Sequence, residues 1–378
     1  MTTLLLLMSL AFAISFLVTW FLIPRIISFA FKKQLFDYPD ERKIHHGSVP
    51  RLGGVAFFPV TLFAITMVTV LSVLMWGDGD IDEITPLQLG GLNLTQHGVQ
   101  LTFGLCAALI LYVFGIADDL KGVRYRNKFI AQIVAGALLC MSGLWLKDLH
   151  GIVGLHAISP WIGWPLTIFA IVFITNAINF IDGIDGLASS LCSIALIYFA
   201  VGFCVIEHFD YALLAITVLG ALLPFLWYNV HGRAERHNKI FMGDTGSLFL
   251  GFLLGALGVA FNNNVVQLTL SPNPMALAFA PMIVPCFDVL RVVMHRVRHG
   301  ASPFKPDKNH IHHKLLKAGL GQHQVLSAVV GLSITAIVLT LVLSYFLNIN
   351  YVLLIDIAVW MVFNIWLTRR GKTQERKV

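Results

Sequence analysis

This sequence predicts an all-α, polytopic integral membrane protein, and three observations predict it. Of 378 residues, 57% are hydrophobic and only 12% charged, about half the charged share of an ordinary soluble domain. The apolar residues gather in about eleven runs, each near the roughly 20 residues a bilayer requires. The basic residues fall in alternate loops between those runs, as the positive-inside rule demands.

The expected spans are Leu4–Ile27, Gly53–Trp76, Val99–Ala117, Phe129–Leu146, Trp161–Ile181, Leu187–Ile206, Tyr211–Tyr228, Gly246–Phe261, Met275–Val293, Val325–Phe346 and Tyr351–Leu367. The first has no Lys or Arg before it, while Arg25, Lys32 and Lys33 stand at its far end. That pattern does not fit a cleaved signal peptide, and it places the N-terminus outside. An odd number of crossings then leaves the C-terminus cytoplasmic. The loops test this independently. Arg42, Lys43 and Arg51, then Lys121 to Lys128, then Arg233, Arg236 and Lys239, and then the basic stretch Arg296–Lys317 all fall inside. Lys147 is the one Lys or Arg outside, and the outside loop Gly77–Gln96 carries Asp78, Asp80, Asp82 and Glu83. The whole chain, 1–378, is therefore expected to form one transmembrane unit. Its functional loops lie near 32–52, 118–128, 176–187, 230–246 and 294–324.

Five cysteines sit inside spans with neither metal-ligand spacing nor a disulfide pattern, so they are expected to pack as small apolar residues. The net charge of +6 is confined to loops on one side. It speaks for topology, anionic headgroups and anionic substrates, not for nucleic acid. Gly251 and Gly255, four apart, suit close helix packing. Pro274, Pro281 and Pro285 are expected to break or bend the ninth span, and Asp288 to pair with Arg291.

The chemistry gathers on the cytoplasmic side. Asp118 and Asp119 close the third span, and NAINFIDGIDGL (Asn176–Leu187) closes the fifth. FMGDTG (Phe241–Gly246) opens the eighth, and SPFKPDKNHIHHKL (Ser302–Leu315) precedes the tenth. Taken singly, several have plain readings: Asp244 is well placed for an N-cap, and loop histidines are usually solvated. The NAINFIDGIDGL segment resists such a reading, because four polar side chains among apolar ones pack poorly and ionisable groups at a membrane are costly. Asp182 and Asp185, three apart, share a helical face, and Gly183 and Gly186 let something bulky approach it. Oxygen ligands without cysteine suit a hard cation, Mg²⁺ or Mn²⁺. Lys, Arg and His nearby would bind phosphate oxygens. Together these point to phosphoryl transfer involving a lipid. No Walker-type loop or dinucleotide fingerprint is present.

Asp118-Asp119, NAINFIDGIDGL, FMGDTGS (241–247), PFKPDKNHIHH (303–313) and the early HHGSVPRLGG (45–54) occur together in this order. With them the chain resembles the polyprenyl-phosphate N-acetylhexosamine-1-phosphate transferases, in the undecaprenyl-phosphate GlcNAc-1-phosphate transferase branch of glycosyltransferase family 4. The HIHH tetrad favours this branch over the related phospho-N-acetylmuramoyl-pentapeptide transferases. The resemblance implies transfer of a sugar 1-phosphate from a UDP-N-acetylhexosamine to undecaprenyl phosphate with release of UMP. That reaction would begin an O-antigen, common-antigen or teichoic-acid type glycan at the bacterial inner membrane, with the active site facing the cytoplasm.

It also implies roles for residues. Asp244 is the leading Mg²⁺ ligand, with Asn179 or Asp182 as a second. Phe241 stacks on uracil, and Asp185 and Asn176 belong to the UDP-sugar site. Asp118, Asp119 and Asp182 are catalytic, and His310, His312 and His313 form the loop over the sugar-phosphate. Relatives are often dimers, which leaves a homodimer open. A phosphate monoester loses its second proton at about pH 6, so the acceptor needs little help from a base. Direct in-line attack is expected, with Asp119 positioning the acceptor; a two-step route through an aspartyl-phosphate stays open. Transporters are disfavoured because their acidic groups lie near the midplane. Intramembrane prenyltransferases are disfavoured because a second Asp-rich repeat is missing.

Overall fold

The computed structural model describes residues 2–36, 49–76, 96–265, 273–302 and 309–375. The first outside loop, His45–Ser48 of the early motif and 303–308 of the histidine loop lie outside the described residues. Among the described residues, thirteen α-helices run in chain order. They are α1 (Thr2–Lys33), α2 (Phe57–Trp76), α3 (Gln96–Lys121), α4 (Tyr125–Met141), α5 (Pro160–Ile181), α6 (Leu187–Val205) and α7 (Phe209–His231). Then come α8 (Gly243–Asn264), α9 (Pro274–Phe279), α10 (Ile283–Arg298), α11 (Ile311–Lys317), α12 (Gln322–Phe346) and α13 (Ile349–Glu375). A two-stranded antiparallel hairpin, β1 (Asp148–Ile152) and β2 (Leu155–Ala157), joins α4 to α5.

Among the described residues, ten spans are long and apolar enough to cross a membrane, α9 and α10 counting together as one. The remaining expected span is α4. It has 17 residues, about 25 Å of helix, and stops at Met141 rather than Leu146. Beyond it the chain turns, and the Leu146 amide donates to Thr167 Oγ1 at 2.9 Å. The ninth span is broken, as its prolines predict. Pro274 opens α9, a short 3₁₀ turn at Ala280–Met282 contains Pro281, and α10 resumes at Ile283.

Helix α8 is the most buried of the spans, and between Leu248 and Phe261 its sequence is apolar all round, as a central helix requires. Helices α3 and α5 pack on it. A Cβ on Gly251 would stand 2.6 Å from Thr175 Cα, and one on Gly255 would meet Ile171 at 2.9 Å. Gly251 therefore lets α8 touch the α5 backbone, and Gly255 makes room for the Ile171 side chain, the close packing expected of the pair. All five cysteines are free. The C-terminal ends of α3 and α5, the N-terminal ends of α4 and α8, and the turn before α11 meet at one end of the bundle, where the polar residues collect.

Candidate active site

The centre is built from three carboxylates. Asp118 and Asp119 end α3 and Asp244 lies in the first turn of α8, with one oxygen from each within 4.8 Å of the others. Lys128, in the first turn of α4, bridges two of them. Its Nζ is 2.6 Å from Asp118 Oδ2 and 2.5 Å from Asp244 Oδ2. Asp118 Oδ1 accepts the Val123 amide at 2.5 Å, which folds the α3–α4 turn onto the carboxylate.

Asp119 does something different. Its Oδ1 accepts the Asp244 amide at 2.8 Å, and its Oδ2 accepts the Thr245 amide at 3.0 Å and the Thr245 hydroxyl at 2.6 Å. The first amides of a helix have no partners within the helix and carry partial positive charge. Asp119 supplies the cap of α8 from a neighbouring helix, and no side chain at the Met242 N-cap does so. Asp244 is thus a first-turn residue whose own amide is capped by another aspartate.

The end of α5 adjoins this cluster. Asn179 donates to Ser247 Oγ at 2.8 Å and lies within hydrogen-bonding reach of Asp244. Asp182 is the C-cap of α5 and stands outside the three-carboxylate group. Burial pushes its carboxyl up to about 7, the charges of Asp244 and Asp185 add to this, and Arg51 opposes it. The Asn176 amide is turned to α4 instead, donating to Gln132 Oε1 at 2.6 Å and to Val172 O at 2.7 Å.

A second group forms beside the first. Lys239 Nζ is 2.5 Å from Asp185 Oδ2 and sits 6.0 Å from the centroid of the Phe241 ring. Asn229, buried on α7, ties the backbone of both segments together. Its Oδ1 accepts the Gly186 amide at 2.6 Å and its Nδ2 donates to Ile240 O at 2.8 Å. The early motif closes the same region, with Phe241 N donating to Pro50 O at 2.8 Å. Gly53 N returns to Phe241 O at 2.9 Å and Gly54 N to Met242 O at 2.8 Å. Two segments nearly 190 residues apart therefore pair like strands and hold Phe241 and Asp244 in one frame.

The histidine turn covers the other flank. His310 is the N-cap of α11, and His312 lies buried against Gly183. A Cβ on Gly183 would stand 2.4 Å from His312 Nε2, so this glycine admits the imidazole. The rings of His312 and His313 are 4.3 Å apart. Burial pulls the His312 imidazole down to about 3, its neighbours His313 and His310 add to this, and Asp288 opposes it.

The structure thus brings Asp118, Asp119, Asp244 and Asn179 together, with Asp182 next to them. It joins Asp185 and Phe241 through Lys239, and lays His312 on the segment between the two groups. Lys128, Lys239 and Asn229 were not singled out from the sequence. The two lysines look like any loop cation there, and Asn229 like one polar residue in an apolar helix. The donor set fits a hard divalent cation, since three carboxylates converge with no thiol or imidazole among them.

The fold and site define a helical multi-pass membrane protein with a carboxylate cluster and a basic-aromatic group at one end of its bundle. Residues 101–262 match the model of glycosyl transferase family 4. Over 347 residues the chain is 33% identical to the probable undecaprenyl-phosphate N-acetylglucosaminyl 1-phosphate transferase of Bacillus subtilis, covering 89% of this chain and 87% of that protein. It is 32% identical to the decaprenyl-phosphate N-acetylglucosaminephosphotransferase of Mycobacterium leprae, over 82% of this chain and 77% of that one. It is 30% identical to the undecaprenyl-phosphate alpha-N-acetylglucosaminyl 1-phosphate transferase of Yersinia pestis, over 78% and 73%. The chain belongs to glycosyl transferase family 4, among its polyprenyl-phosphate N-acetylglucosamine-1-phosphate transferases.

Proposed function

We propose that the protein transfers N-acetylhexosamine 1-phosphate, with GlcNAc as the sugar, from a UDP-sugar to undecaprenyl phosphate and releases UMP. The observation that carries this reading is the adjacency of the Asp118–Asp119–Asp244 cluster to the Asp185–Lys239–Phe241 group. The names of the relatives supply the polyprenyl phosphate and the amino sugar. The product begins a lipid-linked cell-envelope glycan. The site faces the cytoplasm of a bacterial inner membrane, with the N-terminus outside and the C-terminus inside, on the strength of the loop charges.

An acceptor phosphate oxygen attacks the β-phosphorus of the UDP-sugar. The new P–O bond forms as the bond from that phosphorus to the bridging oxygen breaks, and the oxygen leaves with UMP. The difficulty is bringing two anions together, so positioning and charge neutralisation carry the catalysis. Asp118 and Asp244, with Asn179 beside them, would hold Mg²⁺, or Mn²⁺ in its place; the ion supplies neutralisation of the phosphate oxygens. Lys128 adds positive charge at the same point. Phe241 offers its face to the uracil, Asp185 and Lys239 hold the nucleotide end, and His312 and His313 cover the sugar-phosphate. Asp119 acts through α8 by holding Asp244 in place.

Membranes carrying the protein, incubated with undecaprenyl phosphate, Mg²⁺ and a panel of UDP-sugars, test the reading. A lipid product heavier by one N-acetylhexosamine phosphate, with matching UMP release, is expected. Failure of every UDP-sugar to yield UMP overturns it.

A further inference from the structure

Asp288 lies on α10, away from the carboxylate cluster, and is fully buried. Besides Arg291, the partner its sequence spacing predicts, it grips the turn that opens α11. Its Oδ1 takes Arg291 Nη2 at 2.9 Å and the Ile311 amide at 2.9 Å, and its Oδ2 is 2.8 Å from His310 Nδ1. Arg291 Nη2 also donates to Asn309 O. Three successive residues of the histidine turn are therefore held by one ion pair on α10. An ionised carboxylate only accepts, so Nδ1 of His310 donates to Asp288.

The contacts continue beyond His310. Its ring lies parallel to that of His312, with planes 5° apart and centroids 5.8 Å apart, and Phe180 of the NAINFIDGIDGL segment is 6.0 Å away. His312 in turn occupies the space that Gly183 leaves. A chain of packed groups thus runs from Asp288 through His310 and His312 to the loop between Asp182 and Asp185. A buried carboxylate with three donors is satisfied without any substrate, yet two of its three donors belong to the turn over the site.

We propose that Asp288 is a positioning residue, which acts through His310 to seat the histidine turn on the Gly183 segment and so place the imidazoles over the transferred phosphate. This rests on the transferase reading above. The alternative is that Asp288 only stabilises the helix bundle.

A two-by-two cycle of Asp288→Asn and His310→Ala separates these, read by kcat and KM for the UDP-sugar and by amide hydrogen exchange. Asp288→Asn is expected to lower kcat by about 10- to 100-fold, the size of effect a misplacement of about 1 Å produces, with KM unchanged. In the His310→Ala background it should add nothing further, whereas an equal loss in both backgrounds overturns the proposal. Exchange should quicken in residues 311–317 and stay at wild-type rates in α3 and α8. His310→Asn, whose amide offers a donor near the place of Nδ1, should restore slow exchange there. If Asp288→Asn does not accumulate, His310→Ala alone must speed exchange at 311–317, and unchanged exchange refutes the idea. If the wild type forms no lipid-linked product, the transferase reading fails while the exchange experiment still reports on the clamp.

Discussion

Asp119 caps the helix that carries Asp244. Both oxygens of Asp119 are taken by the first turn of α8, through the amides of Asp244 and Thr245 and the Thr245 hydroxyl. A carboxylate so engaged is poorly placed to attack phosphorus, because each lone pair it used would release a buried donor. Asp119→Asn would keep one acceptor but point an NH₂ at a backbone N–H. The expected result is a drop in thermal stability of about 1 kcal/mol, as for loss of a cap, and a loss of UMP release of about 10²-fold from the displaced Asp244. No sugar-phosphate should be trapped on the protein when labelled UDP-sugar is added without acceptor. A covalent adduct under those conditions would show that the two-step route is used.

Lys128 holds Asp118 and Asp244 together with a single ammonium. Replacing it by Gln leaves two carboxylates facing each other with nothing between them, and like charges in so confined a site repel. Divalent metal would then do what the lysine does. Purified Lys128→Gln protein should melt lower than wild type in chelator and regain more stability on Mg²⁺ addition, since binding to the folded state alone raises apparent stability. Equal Mg²⁺-dependent shifts in the two proteins would mean that the ion does not bind at these carboxylates.

The spans were legible because lipid imposes a composition on them that nothing else does. The break at Pro281 was legible for the same local reason, since a proline removes a helical donor where no water can replace it. The site was legible as a set of segments and much less as a set of contacts. Asp119 and Asp244 are separated by 125 positions, and no spacing rule reaches that far. The sequence pointed to Asn179 or Asp182 beside Asp244; Asn179 does lie within its reach, and the two carboxylates that converge with it come from α3. Asn176 was expected at the UDP-sugar, and in the structure its Nδ2 donates to Gln132 on α4. Such differences depend on which face of each helix meets its neighbour, and in an apolar helix with polar residues at several angles that face is not encoded by periodicity.

Asn229 joins two segments of the candidate site with one amide. Leu at this position would fill the space but leave the Gly186 amide and the Ile240 carbonyl unpaired, and each buried orphan costs about 1–3 kcal/mol. Asp would still accept from Gly186 but would face the Ile240 carbonyl with a second oxygen. Both variants should raise KM for the UDP-sugar more than they lower kcat, because Asp185 and Phe241 flank the two bonds. Asn229→Asp should be the milder when melting temperatures are compared. A kcat effect with KM unchanged would place Asn229 on the acceptor side instead.

His312 gives the histidine turn a pH dependence whose sign follows from its burial. Its folded-state value is held down to about 3, whereas an unfolded chain titrates at about 6.5. Between those values the unfolded state binds more protons, so stability rises with pH across that window and is lost as pH falls through it. Above about pH 6.5 both states carry a neutral ring and the contribution is fully present. Wild-type protein should therefore lose melting temperature on acidification from pH 6.5 toward 4, with exchange at 311–317 quickening before that of α8. His312→Asn lacks the titrating group and should show a flatter profile over the same range while starting from a lower plateau. A mutant profile as steep as that of wild type would assign the acid sensitivity to another group.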